Sequence, residues 1–199
     1  MKIATKQLDH LGIVAGVIKE LDLINFIDTR LGVDAREEIT TGEAVAGMIL
    51  NGLGFCSQPL SLTPNFLETK ALDQLFGRKM DHENFNRFKL GRVLDGCYKY
   101  GCSNLFAETS AMVCQKQNVD LRFNSLDTTT ISLTGEYDQC SDEHAIKITE
   151  GYSKDHRPDL KQATLEMMVS QDGGVSTVFM PYDGNESDTK SFKKDRKNL

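Results

Sequence analysis

The sequence has no surplus of positive charge. Its 23 lysines and arginines face 29 aspartates and glutamates, a net charge of −6, which counts against a simple nucleic-acid coat because phosphate binding usually leaves a basic excess. No basic arm is hidden in the total: residues 1–115 hold 12 basic and 14 acidic side chains and the remainder holds 11 and 15. A local basic patch stays open. No CxxC occurs either. The five cysteines, Cys56, Cys97, Cys102, Cys114 and Cys140, are odd in number and widely spaced, which favours reduced thiols over a disulfide framework. Cys97 and Cys102 with His82 or His144 make a weak zinc candidate, since structural zinc sites favour closer cysteine pairs. The opening MKIATKQLDHLG has no apolar stretch of signal-peptide type, and no run approaches the ~20 apolar residues of a membrane span. A cytoplasmic chain with no membrane partner is expected. Internal repeats and low-complexity segments are missing too. What remains is an ordinary globular mixture, 39% hydrophobic and 26% charged over 199 residues, enough for one large domain or two small ones.

The first part reads as helix after helix. Asp9 is placed to cap a helix over His10–Glu20, with Leu11, Val14, Val17, Ile18 and Leu21 on one face. Asp22 is placed to cap the next, carrying Leu23, Ile24, Ile27 and Leu31 and ending at Gly32. Thr40 and Glu43 have capping-box spacing ahead of Ala44, Val45, Met48 and Ile49, with Gly52 and Gly54 closing the helix. Pro59 and Pro64 mark a loop. A short helix over about 65–76, a longer one over about 83–100 stopped by Gly101, and a last one over 104–115 complete the set.

At Asn118 the period changes to two. In DLRFNSLDTTTISL one alternating set holds Leu121, Phe123, Ser125, Asp127, Thr129, Ile131 and Leu133, and the β-branched run Thr128–Ile131 favours a strand. HAIKITEGY reads as a second strand. TLEMMVS and VSTVFMPY flank Gln171-Asp172-Gly173-Gly174, a hairpin signal. The fold class is therefore α+β: a helical domain at 1–117, then a three-stranded antiparallel meander opening a second domain at 118–199. An apolar sheet face including Ile146, Ile148, Met168 and Phe179 is expected to have little to pack against.

Asp127 is the most informative single residue. A carboxylate in mid-strand either faces solvent or is held for a purpose, because an unpaired buried charge is expensive. Its apolar neighbours in the alternating set hint at a partly covered site, and the functional alternative is a hard-metal ligand. Lys154, Asp155, His156 and Arg157 form a cluster that is either a solvated turn before Pro158 or a phosphate contact. Asp183 and Asp188 flank Gly184-Asn185 and read as turn residues, with Asp188 as a helix N-cap. His10 reads as a helix-opening residue. Asn84, Asn86, Arg87, Lys89 and Arg92 make the most polar helical face of the first part, either solvated or touching DNA. A helix-turn-helix over 9–32 is conceivable, but no residue pattern carries it.

Three blocks, SLDTTTISLTGEY, ITEGYSKDHRPDLKQATLEMMVSQDGG and DGNESDTKSF, resemble bacterial insertion-sequence transposases of the DDE class in order and spacing. The upstream LDHLGIVAGVIKELDLINFID through LFAETSAMV resembles the helical N-terminal domain of the same proteins. The resemblance implies an RNase H-like core with three acidic ligands for Mg²⁺ or Mn²⁺, acting on DNA at the ends of a mobile element. It aligns Asp127 with the first acidic, metal-binding catalytic residue. It aligns Tyr152, Ser153, Lys154, Asp155 and His156 with the block after the second strand, making Lys154, His156 and Arg157 candidate DNA contacts. Gly184, Asn185 and Asp188 match the block after the third strand. It places the second ligand on a fourth strand and the third on a much later helix, both beyond Leu199. The expectation is an N-terminal portion with an incomplete catalytic core, inactive alone and binding no ion firmly. Its partners would be element-end DNA and, by self-association or pairing, full-length transposase; a non-catalytic DNA-binding or regulatory module is the alternative. Where this family has a proline soon after Gly174, the chain has Ser176-Thr177.

Overall fold

The structure is a computed structural model and describes residues 5–137, 145–151 and 159–185. It is α+β. Among the described residues seven α-helices precede a three-stranded antiparallel sheet, and the chain divides into two compact units, Met1–Leu105 and Phe106–Leu199.

In the first unit, α1 (Leu11–Glu20) turns Leu11, Ala15 and Ile18 inward. Asp9 does not cap it. Its backbone has φ 47°, and its carboxylate instead pairs with Lys70 at 2.8 Å; His10 holds the N-cap position without a side-chain cap. Asp22 precedes α2 (Leu23–Leu31) in a left-handed conformation and accepts from the Asn25 side chain at 2.6 Å rather than from the backbone. α3 (Thr41–Gly52) starts as its sequence predicts. Thr40 Oγ1 accepts from the Glu43 N–H at 3.1 Å and Glu43 accepts from the Thr40 N–H at 2.8 Å, satisfying two end donors at once.

The single helix expected over 65–76 is two: α4 (Thr63–Glu68) and α5 (Leu72–Phe76). Gln7 breaks it. Its N–H donates to the Thr69 carbonyl and its carbonyl accepts from the Ala71 N–H, both at 2.9 Å, and these are the groups a continuing helix would need. Pro64 lies in the first turn of α4 rather than in a loop, where its missing N–H costs nothing. The helix expected from 83 begins later. A 3-10 turn occupies His82–Phe85, and Asn86 then caps α6 (Arg87–Tyr100), accepting from the Lys89 N–H at 3.1 Å. The core gathers Leu11, Ile39, Ala44, Leu50, Leu67, Phe85 and Leu90, all essentially sealed from water. α7 (Cys102–Gln117) ends before Asn118, a left-handed residue with φ 52°.

In the second unit, β1 (Asn124–Leu133), β2 (Lys161–Ser170) and β3 (Ser176–Tyr182) pair in sequence order. Asp127 stands opposite Met167, and Met167 opposite Phe179. The hairpin forms where Gly173 and Gly174, both at positive φ, allow the chain to reverse. HAIKITEGY is not a strand within its described residues. It makes one bridge, Thr149 to Gln162: β1 takes one edge of β2 from Asn124–Ser170 to Leu133–Lys161, and on the other edge β3 already pairs with Thr164–Val169, leaving only the start of the strand to join. The expected apolar face is not a face either. Met168 pairs with Val178 while Phe179 pairs with Met167, so Met168 and Phe179 point to opposite sides of the sheet.

Candidate functional site

Asp127 lies mid-way along β1, which pairs only with β2 among the described residues. Ser125, Asp127, Thr129 and Ile131 are exposed, while Thr128 between them is buried. The alternation is as the sequence predicts, but the orientation corrects the expectation of a partly covered site: this set looks outward. Across the sheet the Asp127 row continues through Met167 and Phe179, and the Phe179 ring meets Phe106 of α7 at 5.2 Å. Asp127 Oδ1 accepts from the Thr128 N–H at 2.8 Å. Among the described residues no other carboxylate shares its row.

The opposite side of the sheet is polar and covered. Thr128, Gln162, Thr164, Glu166 and Ser170 are all buried, with Glu166 only 1% exposed. Sequence reasoning missed Glu166, although the alternation Thr164, Glu166, Met168, Ser170 was there to be read. Glu166 pairs with Thr128, one step from Asp127 and therefore on the other side. The two carboxylates cannot meet on one ion.

The structure brings two of the quoted blocks together at the start of β2. The Gln162 side-chain amide donates to the Gly184 carbonyl at 2.7 Å. Gly184 N–H donates to the Lys147 carbonyl at 2.9 Å, and Lys147 N–H donates to Asp183 Oδ1 at 2.7 Å. Gly151 and Gly184 touch so closely that a Cβ on Gly151 would lie 2.1 Å from the Gly184 carbonyl oxygen. Asp183 is thus a turn residue, as expected, and it does not converge on Asp127. It follows Tyr182, which is two strands across and three residues along from the Asp127 row, roughly 14 Å by ordinary strand spacing and rise. Asp188 and the residues Tyr152, Ser153, Lys154, Asp155, His156 and Arg157 lie outside the described residues.

Among the described residues no three His, Cys, Asp or Glu side chains come together to hold a metal. The donor set of the described residues therefore falls short of what Mg²⁺ or Mn²⁺ needs, several oxygen ligands firmly placed; within it Asp127 supplies one carboxylate. Cys97, raised first by burial and then by Cys102 beside it, favours the protonated thiol over the metal-binding thiolate.

The polar helical face of the first unit divides. Lys89 is buried and hydrogen-bonded to Glu37, which also takes Arg92 at 2.9 Å. These contacts hold the Glu37 carboxyl below the usual glutamate range: the Lys89 hydrogen bond leads, and with Arg92 it outweighs burial. Glu43, beyond its capping role, receives Arg78 at 2.6 and 2.7 Å. Burial alone would raise its carboxyl, but Arg78 and the Thr40 N–H hold it low. His10 is a tertiary tie: Nε2 lies 2.7 Å from the Leu53 carbonyl and its ring 4.1 Å from that of Phe55.

The chain belongs to the family described as domain of unknown function DUF4277, whose profile matches residues 3–111. No curated protein and no solved structure matches the chain. No helix among the described residues is long and apolar enough to cross a membrane.

Proposed function

We propose that this chain is transposase-derived: a helical module followed by the opening strands of an RNase H-like DDE core, with DNA at the ends of an insertion sequence as its partner and the cytoplasm as its compartment. The observation that carries the reading is Asp127, an exposed carboxylate in the middle of the first strand of an antiparallel β1-β2-β3 sheet that follows a helical unit. The meeting of residues 147–151 with 183–184 adds support, since two separate blocks of the resemblance share one place. Metal-dependent cutting and joining of DNA is the activity the resemblance implies. Among the described residues Asp127 is the one ligand assigned for it, and binding of DNA without cutting is the behaviour expected of these residues alone.

The test is to incubate the 199-residue polypeptide with DNA carrying the terminal repeats that flank its coding sequence, with Mg²⁺ or Mn²⁺, beside Asp127→Asn. Salt-sensitive binding without strand cleavage is the expected result. Cleavage that needs both the metal and Asp127 would mean that another carboxylate of this chain completes the site. A second reading is a non-catalytic module that regulates a complete transposase by occupying its DNA ends or by pairing with it; the acidic balance, −6 overall, favours the pairing. Competition with, or co-purification with, the complete enzyme distinguishes it. A chain that binds neither element ends nor transposase refutes both readings.

A further inference from the structure

We propose that the outward face of α6 is the surface through which the helical unit grips duplex DNA, with Arg87 and Lys99 on phosphates and Gly91 as the point of closest approach. The proposal rests on the DNA-binding reading above and gives it a location. α6 buries Lys89, Leu90 and Val93 and turns Arg87, Phe88, Arg92, Tyr98 and Lys99 outward. At helical spacing these residues and Gly91 share one broad face, about 18 Å long from Arg87 to Lys99 at the ordinary helical rise.

Charge complementarity selects the occupant. The face carries three cations and one carboxylate, Asp95, inside a chain whose net charge is −6. Among the described residues, Arg92 is the one of the three that pairs with a carboxylate, Glu37, and its side chain is still 62% exposed. The Arg87 guanidinium lies 4.7 Å from the centre of the Phe88 ring. Stacking of this kind holds the flat fork in one orientation in advance, so less rotamer freedom is lost when it takes a phosphate bidentately. Phe88 and Tyr98 are 65% and 51% exposed, and aromatic rings beside cations favour sugar and base edges over a purely ionic partner. Gly91 lies between the two ends of the face. A Cβ added there would meet nothing within 4 Å, so the glycine is not required by packing, and its bare backbone lets a bulky partner come close.

The experiment measures binding of terminal-repeat duplex by fluorescence anisotropy across a salt series, with wild type, Arg87→Ala/Lys99→Ala and Gly91→Glu. The double variant should bind roughly tenfold more weakly, with a log K against log salt slope shallower by about 1.8, because each phosphate contact contributes about 0.9. Gly91→Glu sets a carboxylate among the cations in open space and improves helix propensity, so it should keep the wild-type melting temperature and lose binding. If wild type binds and both variants bind equally well with an unchanged slope, DNA is held elsewhere and this location is wrong while the broader reading stands. If wild type binds no duplex, the location and the DNA-binding reading fall together. Preferential binding of single strands by wild type, abolished in Gly91→Glu, would overturn the duplex assignment.

Discussion

Gly184→Ala probes the junction that joins two distant blocks of sequence. A Cβ at Gly184 would stand 1.9 Å from the Gln162 carbonyl oxygen and 2.7 Å from that of Thr149. The first is about 1.5 Å short of ordinary contact, and both obstacles are backbone atoms, so no side chain can swing aside. The Thr149–Gln162 pair they belong to is itself closed by two hydrogen bonds, at 3.2 and 2.9 Å. Relief has to come from moving the 183–185 segment away. That breaks the Gln162 amide to Gly184 carbonyl bond and the Gly184 to Lys147 bond. Overpacking of this kind costs about 1–3 kcal/mol, and each lost hydrogen bond adds about 0.5–1.5 kcal/mol. The sheet unit should lose about 2–6 kcal/mol. Amide hydrogen exchange resolves it: protection at Thr149, Gln162 and Gly184 should fall while amides of the first unit hold theirs. Gly16→Ala in α1 is the matched control, because its Cβ meets nothing within 4 Å and alanine improves helix propensity by up to about 1 kcal/mol. Unchanged protection at all three amides in Gly184→Ala would refute the close-approach argument.

Three other outcomes follow from the same geometry. Phe85→Ala removes a ring with no exposed surface that stacks 5.4 Å from Phe76, and denaturant titration should show a loss of about 3–5 kcal/mol in the helical unit. The Glu37 and Glu43 carboxyls are held below the ordinary glutamate value of 4.5, so their contribution to stability is full above that pH and is lost as pH falls through their lowered values; melting of the helical unit should weaken below about pH 4.5, and Glu43→Gln should reduce that acid dependence. Asp127→Asn alters an exposed strand residue with one local hydrogen bond, so thermal melting should put its effect on stability within about 0.5 kcal/mol, and a large loss would mean that Asp127 supports the sheet rather than standing ready for a ligand.

The sequence was most readable where local chemistry decides structure. The Thr40–Glu43 box forms in full because both partners lie within one turn. The Gln171–Gly174 turn forms because two glycines meet its positive φ values. What could not be read depends on residues distant along the chain. Asp9 has the right chemistry for a cap, yet Lys70 takes it. Residues 65–76 have helical spacing throughout, yet Gln7 cuts them in two. Lys89 looks like a solvated cation until Glu37 is found beside it. At the candidate site, alternation correctly grouped Asp127 with Ser125, Thr129 and Ile131, but period two has no sign. It says which residues share a side and not which side faces water, and apolar Phe123 and Ile131 pointed to the wrong one: they are 65% and 45% exposed.

That reversal bears on how an ion site at Asp127 would be built. On its side of the sheet, β2 and β3 offer Met167 and Phe179 in the same row, and neither has an oxygen to give. The carboxylate of β2, Glu166, is one residue away along the strand but buried on the far side, and turning it over would slip the whole register and expose Thr164 and Ser170 as well. The described sheet therefore cannot finish the site from within. Further ligands would have to reach Asp127 across the open edge of β1 or from above its exposed side. A strand that no other described residue pairs on one edge, carrying a carboxylate among short polar neighbours such as Ser125 and Thr129, is sterically suited to both approaches. Among the described residues, that openness leaves room for the oxygen ligands that the proposed DDE reading requires.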